Sequence, residues 1–481
     1  MSNYTKIVLN GAMWSFLQTI TERIIQFVVF FFVAKQLGPH DFGVATIVIA
    51  PAAIFIATLE GITAAIVQSS QVEESDYDGF FIIGIFWGAV FSLLILLSGP
   101  VLAFATNEHL VRELVPYCAV VPIISALGAV PEGRVARAFQ FKLLAVRRSV
   151  GILVGGAVCI AMATHGFGAW SLIAQTVSVA MANTATVLVG ARWLPNIQSG
   201  VNHFRRVLRA SHYFMGSNAL SQGTVRIGDI VVGIIAGPAA AGIFRFSRTV
   251  VDLVTSVIFT PIARVLGPVF GRMSNEPMRL VRSTFSVING AIALFGIAAI
   301  GMIFNSDLPA LFIGNKWNGL GSSLKALAAS LPSLAVVMPL QMLLSSSGRQ
   351  KANFLFNLSQ LVLNCVFIGL GSYLGGALGA NIGFAARSYF AVGIMVAVAR
   401  YREPLLDTEK WTEIWLSLVW LFSVVVLGLF YQQTLGMNFG PTSALLVSIL
   451  ASGIFTVAVI KVNSSLRFLL QGLYRRYLSR A

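Results

Sequence analysis

The stretch from Gln18 to Gly43, QTITERIIQFVVFFFVAKQLGPHDFG, decides the fold of this chain. It contains an apolar run long enough to cross a bilayer, which takes about 20 residues, and it carries Glu22 and Arg23 near its middle. Charge inside hydrocarbon costs roughly 2.5–3.5 kcal/mol, so such side chains usually face a cavity or a partner. The stretch ends in Gly-Pro-x-x-x-Gly, which begins at Gly38. We therefore predict a membrane helix whose charges do not face lipid.

A second stretch repeats this pattern. It is QGTVRIGDIVVGIIAGPAAAGIF from Gln222, with Arg226 and Asp229 in the apolar run and a second Gly-Pro-x-x-x-Gly that begins at Gly237. The three motif positions are each offset by 199 residues between the two copies. Gly-Pro occurs five times in the chain, but only these two copies have glycine at the fifth following position. We predict two related membrane lobes around a polar, net-positive central cavity.

The composition excludes a soluble protein. Of the 481 residues, 57% are hydrophobic and 11% are charged, with a mean hydropathy of +0.82. A soluble domain averages roughly 25% charged residues, so this chain lacks the charge that a wetted surface needs. The polar start MSNYTK runs straight into the first apolar stretch without a cleavage pattern, which predicts a retained signal anchor.

Fourteen apolar runs approach the length of a membrane span. They are 10–34, 44–67, 79–104, 114–131, 149–165, 167–191, 213–236, 240–263, 284–304, 324–345, 354–374, 377–399, 413–432 and 441–462. Polar stretches at 193–212 and 400–412 group these spans as six, six and two. The sequence predicts an all-α polytopic membrane protein. Its parts are an N-terminal lobe (1–200), a C-terminal lobe (201–404) and two additional spans with a basic tail (405–481).

The placement of lysine and arginine orients the spans, because basic residues favour cytoplasmic loops. With the N-terminus inside, 24 of the 33 lysines and arginines fall in inner loops, four in outer loops and five inside spans. We therefore predict cytoplasmic N- and C-termini. An even number of spans in each lobe makes the two repeats parallel. The net charge of +15 then reflects topology, with attraction to anionic membrane lipids as a consequence, and nucleic-acid binding is not predicted.

Charged and polar side chains inside the spans are the candidate site residues. Gln18, Glu22 and Gln26 repeat at i, i+4 and i+8, which places them on one helical face. Two interpretations stay open here: an ion pair of Glu22 that only packs helices, or the lining of a transport path. The five arginines inside spans are Arg23, Arg226, Arg245, Arg248 and Arg387.

Two of these arginines can be neutralised by acidic neighbours on their own helix. Arg248 and Asp252 are an i, i+4 pair, which leaves Arg245 as the expected free cation of that span. Arg226 and Asp229, spaced i, i+3, can partly cancel in the same way. Arg387 has no acidic residue within a helical turn, so we expect it to find water, a distant partner or a ligand.

An amide stripe follows one face of the eleventh span, with Asn353, Asn357, Gln360 and Asn364 at i, i+4, i+7 and i+11. These amides either bond across helices at about 0.6 kcal/mol each or line a hydrated passage and bind sugar hydroxyls. Glu60 is a lone carboxylate in an apolar span. It is either structural or a candidate for proton or cation coupling, together with Glu22, Asp229 and Asp252.

Several kinds of chemistry have no pattern in the sequence. There is no G-x-x-x-x-G-K-[ST] for a nucleotide phosphate, and the five histidines and three cysteines show no metal-ligand spacing. The outer loops are too short for a catalytic domain. We expect no cofactor, no metal and no enzymatic activity.

Four short motifs carry a resemblance to a known family. They are L-G-P-x-D-F-G (37–43), A-A-I-V-Q (64–68), R-x-F-x-F-K (137–142) and G-x-G-A-W-S-L (166–172). The chain resembles the Wzx-type polysaccharide transporters, and more closely their succinoglycan-exporter and teichuronic-acid-exporter branch. His40 departs from the commoner Glu or Ser of the first motif. The resemblance covers most of the chain and is clearest in the first 270 residues.

The resemblance implies a flippase of the multidrug/oligosaccharidyl-lipid/polysaccharide exporter superfamily in the bacterial inner membrane. Such a protein has two six-helix lobes in a V-shaped arrangement, often with two further helices, and opens alternately to each side. It moves an undecaprenyl-pyrophosphate-linked oligosaccharide to the outer leaflet, and its expected partners include polysaccharide polymerase and export machinery.

Three hypotheses follow for the function. In a flippase, the spans' five arginines outnumber Glu22, Glu60, Asp229 and Asp252 by one, and guanidinium groups bind phosphate bidentately. Arg23, Arg226, Arg245 and Arg387 are then the expected substrate contacts. A multidrug or cation exporter of the same fold would need an acidic, aromatic cavity. A membrane polymerase or ligase would need a sizeable outer loop with catalytic residues, which this chain lacks.

Overall fold

The computed structural model describes residue 22 and residues 25–69, 72–273 and 276–402. Within these ranges the regular structure is helical throughout, with one 3-10 turn at Asn315–Trp317 and no strand. The long apolar runs of the sequence force this outcome, because a helix satisfies every backbone polar group within its own segment and hydrocarbon offers no other partner. The expectation of an all-α protein is confirmed over the described residues.

Contacts divide the chain into two compact units, Met1–Gly242 and Ile243–Ala481. The helices that lie in the first unit are α1 (Ile25–Gln36), α2 (Pro39–Gln68), α3 (Glu74–Thr106), α4 (His109–Arg137), α5 (Phe141–Thr164) and α6 (Trp170–Ala191). Helix α7 (Ile197–Arg272) begins in the first unit and ends in the second. The predicted lobe boundary at residue 200 stays a prediction.

The second unit contains the remaining helices. They are α8 (Pro277–Phe304), α9 (Leu308–Ile313), α10 (Leu320–Ala328), α11 (Leu331–Ser346) and α12 (Gln350–Arg402). Helix α8 packs on α11, and α11 packs on α12. Phe295 of α8 and Leu340 of α11 are fully buried in this unit, so it has an apolar core of its own.

Eight of the described helices are long and apolar enough to cross a membrane, or nine if α10 and α11, bent by 45°, form one span. The prediction of a multi-pass membrane protein is thereby confirmed. The predicted total of fourteen spans stays a prediction, because 413–432 and 441–462 lie outside the described residues. Most of the first predicted span, 10–34, lies outside them as well.

Two of these eight helices are each two helices joined by a turn at glycine. In α7 the backbone leaves the helix at Gly237, where φ is +83°, a value that glycine adopts without a Cβ clash. In α12 it does so at Gly375 and Gly376. Both turns fall in the gaps that the sequence predicts between spans, after residues 236 and 374. We call the part of each helix before its turn the first arm and the part after the turn the second arm.

The two arms of α12 pack closely through glycine. A Cβ built on Gly371 would overlap the carbonyl of Gly379, and one built on Gly379 would overlap the carbonyl of Gly371. Further from the turn that joins the two arms, a Cβ on Gly383 would overlap the carbonyl of Phe367. Small residues of this kind let membrane helices approach backbone to backbone. This approach sets residues 360 and 387 opposite each other.

The two Gly-Pro-x-x-x-Gly motifs contact each other reciprocally. A Cβ built on Gly43 would overlap the carbonyl of Pro238, and one built on Gly242 would overlap the carbonyl of Pro39. All four residues belong to the first unit. Each motif therefore supplies the glycine that accommodates the carbonyl of the other, which explains why both copies keep glycine at the fifth following position.

Two arginines that the sequence places in inner loops form hydrogen bonds with helix ends in the first unit. Arg137 donates from Nη1 to the carbonyls of Ile66 and Ser69, each at 2.7 Å, at the C-terminal end of α2. Arg206 donates to Asp76 at 2.6 Å, at the start of α3. Cations suit helix C-termini and anions suit N-termini, so Arg137 stabilises the end of α2 and Asp76 the start of α3.

Candidate functional site

Arg387 is buried inside a membrane helix. It lies on the second arm of α12 with a relative exposure of 8%, and its Nη1 donates a 2.8 Å hydrogen bond to Oε1 of Gln360 on the first arm. The close packing of the two arms brings these side chains together. A charge in this position is costly unless it is paired or bound, and an amide oxygen neutralises none of it.

Arg248 reaches the same place from the second arm of α7. Its Cζ lies 4.0 Å from the centroid of the Phe384 ring, and the Cζ of Arg387 lies 4.6 Å from the same centroid. The two guanidinium carbons are therefore at most 8.6 Å apart, the sum of these distances. Like charges at that separation repel by about 2 kcal/mol at an effective dielectric constant of ~20.

The Phe384 ring opposes this repulsion. It is 5% exposed, and a desolvated cation–π contact is worth about 2 kcal/mol. Phe384 precedes Arg387 by three residues, so both sit on one helical face. Sequence analysis did not single out Phe384, although its i, i+3 spacing to a membrane arginine was a signal that could have found it.

Arg248 is only loosely neutralised by Asp252. Its Nη2 lies 3.4 Å from Oδ1 of Asp252, whose side chain is 42% exposed against 11% for Arg248. The predicted i, i+4 pair therefore exists. It is long for a charge-assisted bond, which normally measures about 2.7–2.9 Å, and the guanidinium of Arg248 also lies on the phenylalanine ring.

The site has hydrogen-bonding capacity left over. Nε of Arg387 and Nε2 of Gln360 are buried donors that make no hydrogen bond within the described part of the chain. Unsatisfied buried donors cost about 1–3 kcal/mol each. With two guanidinium groups against one exposed carboxylate, Arg387, Arg248 and Gln360 form a cationic site that an anion would satisfy. We call this group the arginine pair site.

The other predicted residues of the second unit have different surroundings. Arg245 is half-buried and has an interaction of its own, so the expectation that it is the free cation of its helix is wrong. Asn357 accepts a 3.3 Å hydrogen bond from Nε2 of Gln341 on α11. Asn353 donates to Ser345 at 2.6 Å, while Asn364 is buried at 2% exposure. Part of the amide stripe thus bonds across helices.

In the first unit, Arg226 and Asp229 form the predicted ion pair. Nη1 of Arg226 lies 3.7 Å from Oδ2 of Asp229, whose side chain is 1% exposed. Glu22, also in this unit, is half-buried and has an interaction of its own. Gln18 and Arg23 lie outside the described residues, and their role stays a prediction.

Glu60 belongs to a charged group that spans three helices of the first unit. It lies on α2 with an exposed side chain, and the charges of Glu132, Arg148 and Arg147 act on its carboxylate. Arg147 of α5 and Glu132 of α4 pair directly, each less than one-fifth exposed. Glu60 itself makes no hydrogen bond or ion pair to the described residues. Sequence analysis placed Arg147 and Arg148 in a loop and did not single out Glu132.

Comparison with known families assigns the chain. The model of a family described as polysaccharide biosynthesis protein matches residues 32–321, more than half of the sequence. The chain belongs to this family. Since the matched region runs from α1 into α10, it includes both Gly-Pro-x-x-x-Gly motifs and Arg248, but not Arg387.

Relatives in several bacteria agree with this assignment. The chain is 22% identical to the lipopolysaccharide biosynthesis protein WzxC of Escherichia coli (strain K12), over 88% of this chain and 87% of that protein. It is 24% identical to the teichuronic acid biosynthesis protein TuaB of Bacillus subtilis (strain 168), over 72% and 71%. It is 22% identical to the succinoglycan biosynthesis transport protein ExoT of Rhizobium meliloti (strain 1021), over 65% and 64%. The resemblance to Wzx-type polysaccharide transporters is thereby confirmed.

Solved structures establish the fold. The lipid II flippase MurJ, in an inward closed conformation, superposes with a TM-score of 0.73 at 14% identity, covering 94% of this chain and 98% of that one. A multidrug resistance MATE family transporter of the MOP superfamily superposes with a TM-score of 0.66, also at 14% identity, covering 80% and 95%. At such identities the likeness concerns the fold alone.

Proposed function

We propose that this protein moves a lipid-linked oligosaccharide across the bacterial inner membrane, from the cytoplasmic to the periplasmic leaflet. In this proposal the carrier lipid is undecaprenyl pyrophosphate and the glycan is a repeat unit of an exopolysaccharide. One observation carries the proposal: Arg387 and Arg248 meet at Phe384 inside membrane helices, with one long ion pair to offset two positive charges.

The chemistry of this site suits a phosphorylated head group. Guanidinium groups bind phosphate through two parallel hydrogen bonds, and charge-assisted bonds of this kind are about twice as strong as neutral ones. Nε of Arg387 is a donor without a partner among the described residues, as a substrate site requires. A pyrophosphate would neutralise both arginines, while the neighbouring amides suit sugar hydroxyls.

The names of the relatives support the same substrate class. WzxC and TuaB are named for the biosynthesis of lipopolysaccharide and teichuronic acid, and ExoT for the transport of succinoglycan. MurJ is named a lipid II flippase. A flippase needs no catalytic residue, in agreement with the expectation that the chain is not an enzyme. Polysaccharide polymerase and export machinery are the proposed partners.

The proposed mechanism is alternating access. Two six-span lobes, residues 1–200 and 201–404, rock so that a polar cavity opens to each side in turn. The segment 405–481 adds two spans and a cytoplasmic tail.

Arg23, Arg226 and Arg245 are proposed to line the cavity with the arginine pair site. Glu60 is the proposed coupling carboxylate. Asp229 and Asp252 are in ion pairs and Glu22 has an interaction of its own, whereas Glu60 makes no ion pair or hydrogen bond within the described residues.

A cation exporter of the same fold is the weaker candidate. A site for cationic substrates needs unpaired carboxylates next to aromatic rings. Here the groups next to the ring of Phe384 are the positively charged guanidinium groups of Arg387 and Arg248. The MATE superposition shows a shared fold and leaves this electrostatic difference intact.

Deleting the gene tests the proposed function. We expect surface polysaccharide to be lost while its lipid-linked precursor accumulates on the cytoplasmic side, measured by extracting lipid-linked glycans from intact cells and from membranes. Complementation with the intact gene should restore the polymer. Retained polymer together with new sensitivity to cationic drugs would contradict the proposal and favour the exporter. Precursor that accumulates on the periplasmic side instead would favour a polymerase, because a polymerase consumes the precursor after it has crossed the membrane.

A further inference from the structure

Two partners compete for the guanidinium of Arg248. One is the Phe384 ring, whose centroid is 4.0 Å from Cζ. The other is Asp252, one helical turn further along the same arm, with Oδ1 at 3.4 Å from Nη2. A small rotation of the arginine toward Asp252 would shorten the ion pair to an ordinary length and move the guanidinium off the ring.

This competition decides the charge of the site. While Arg248 lies on the ring, it contributes a second cation next to Arg387. If Arg248 paired fully with Asp252, that cation would be neutralised, and Arg387 would be left with an uncharged partner, Gln360. Repulsion from Arg387 favours the second arrangement, because it drives Arg248 away from the site.

We infer that Phe384 is a positioning residue that holds Arg248 beside Arg387 and out of a full ion pair with Asp252, so that both guanidinium groups face one anion. The inference rests on the proposed function only in taking that anion to be a pyrophosphate. In this inference the ring holds Arg248 by electrostatic attraction and not by its volume alone, because the quadrupole of a phenylalanine ring attracts a cation. A side chain of equal bulk without that quadrupole would release Arg248.

Variants of the full-length protein test this inference through pyrophosphate binding. Purified protein in lipid nanodiscs is titrated with inorganic pyrophosphate by calorimetry. We expect Phe384→Leu to weaken binding roughly 30-fold, the effect of losing a desolvated cation–π contact. Phe384→Tyr keeps the ring and should bind like the wild type. Phe384→Leu combined with Asp252→Asn should recover most of the lost affinity, because Arg248 then has no carboxylate to pair with.

Fluorinated phenylalanine separates electrostatics from packing. Mono-, di- and trifluorophenylalanine at position 384 nearly preserve the shape of the ring while they progressively cancel its quadrupole. We expect pyrophosphate affinity to fall stepwise along this series, and Asp252→Asn to flatten the series. These variants fold if the wild type does, as elution in size-exclusion chromatography will show.

The outcomes distinguish this inference from the proposed function. Equal affinity along the fluorinated series, or a Phe384→Leu loss that Asp252→Asn fails to restore, overturns the positioning role while leaving the flippase proposal in place. A stepwise fall in the affinity of the purified protein, together with surface polysaccharide that is retained after deletion of the gene, supports the positioning role and overturns the flippase. A wild-type protein that does not bind pyrophosphate overturns the positioning role, and the gene deletion then decides the flippase proposal separately.

Discussion

Arg387 is the residue on which the transport proposal depends most directly. Replacing it by alanine removes one guanidinium and leaves Gln360 without its partner. We expect Arg387→Ala to reduce polysaccharide export roughly 10- to 100-fold, the effect of one lost charge-assisted hydrogen bond. Arg387→Lys keeps the charge but not the bidentate geometry and should only weaken export. The measurement is surface polymer per cell at equal membrane-protein level.

A matched control is Arg282→Ala, which removes an exposed arginine from α8 of the same unit. It should export like the wild type. Full export by Arg387→Ala at normal protein level would remove Arg387 from the site.

Glu60 offers a second test at the scale of one side chain. If it carries the coupling proton, Glu60→Gln should stop gradient-driven export while the protein level stays normal, because an amide cannot take up and release a proton. Glu113→Gln changes an exposed glutamate of α4 and serves as control. The measurement is export with and without a protonophore. A Glu60→Gln protein that still exports, and still responds to the protonophore, would contradict the coupling role.

At the scale of elements, the reciprocal contact between the two Gly-Pro-x-x-x-Gly motifs gives a sharp prediction. Gly43→Ala and Gly242→Ala each place a methyl group on a backbone carbonyl of the other motif, which cannot move as a side chain end would. Overpacking of this kind costs about 1–3 kcal/mol. We expect a lower unfolding temperature of the purified protein for both variants.

Gly38→Ala is the internal control for this pair. Gly38 begins the first motif, yet no atom lies within 4 Å of an added Cβ, and its φ of −81° suits any residue. It should unfold like the wild type. Equal unfolding temperatures for Gly38→Ala and Gly43→Ala would show that the motifs do not pack as closely as the structure has them.

Sequence patterns predicted the elements better than the contacts between them. Apolar run length located the turns at Gly237 and at Gly375, because a bilayer fixes how long each span is. The repeat itself was visible, but its self-contact was not, since spacing along the chain does not show which helices cross. Likewise, the sequence showed the spacing of Arg248 to Asp252, but only tertiary packing sets Arg248 on Phe384.

The site was predictable only in part for the same reason. Arg387 stood out because it has no acidic neighbour on its helix, a local property that the sequence contains. Glu132 and Arg147 did not stand out, because they lie near the ends of apolar runs, where charges are ordinary. Their pairing joins α4 to α5 and depends on how those helices meet. Phe384 is apolar, so a search for charged and polar residues inside the spans does not find it.

For the whole molecule, orientation in the membrane decides the direction of transport. The 24-to-4 distribution of basic residues predicts that the loops around Ala138, Leu194 and Gly348 are cytoplasmic, and that those around Asn107 and Gly166 are periplasmic. Fusions of green fluorescent protein and alkaline phosphatase at these five positions test it. We expect fluorescence at the first three and phosphatase activity at the last two.

The predicted orientation also determines on which side of the membrane the arginines that bond to helix ends would lie. Arg137 and Arg206, which bind the end of α2 and the start of α3, would then lie on the cytoplasmic side, where basic residues are retained during insertion. The reverse fusion pattern would place 24 basic residues outside. It would also reverse the proposed path, since substrate made in the cytoplasm would meet what is now taken as the outer face.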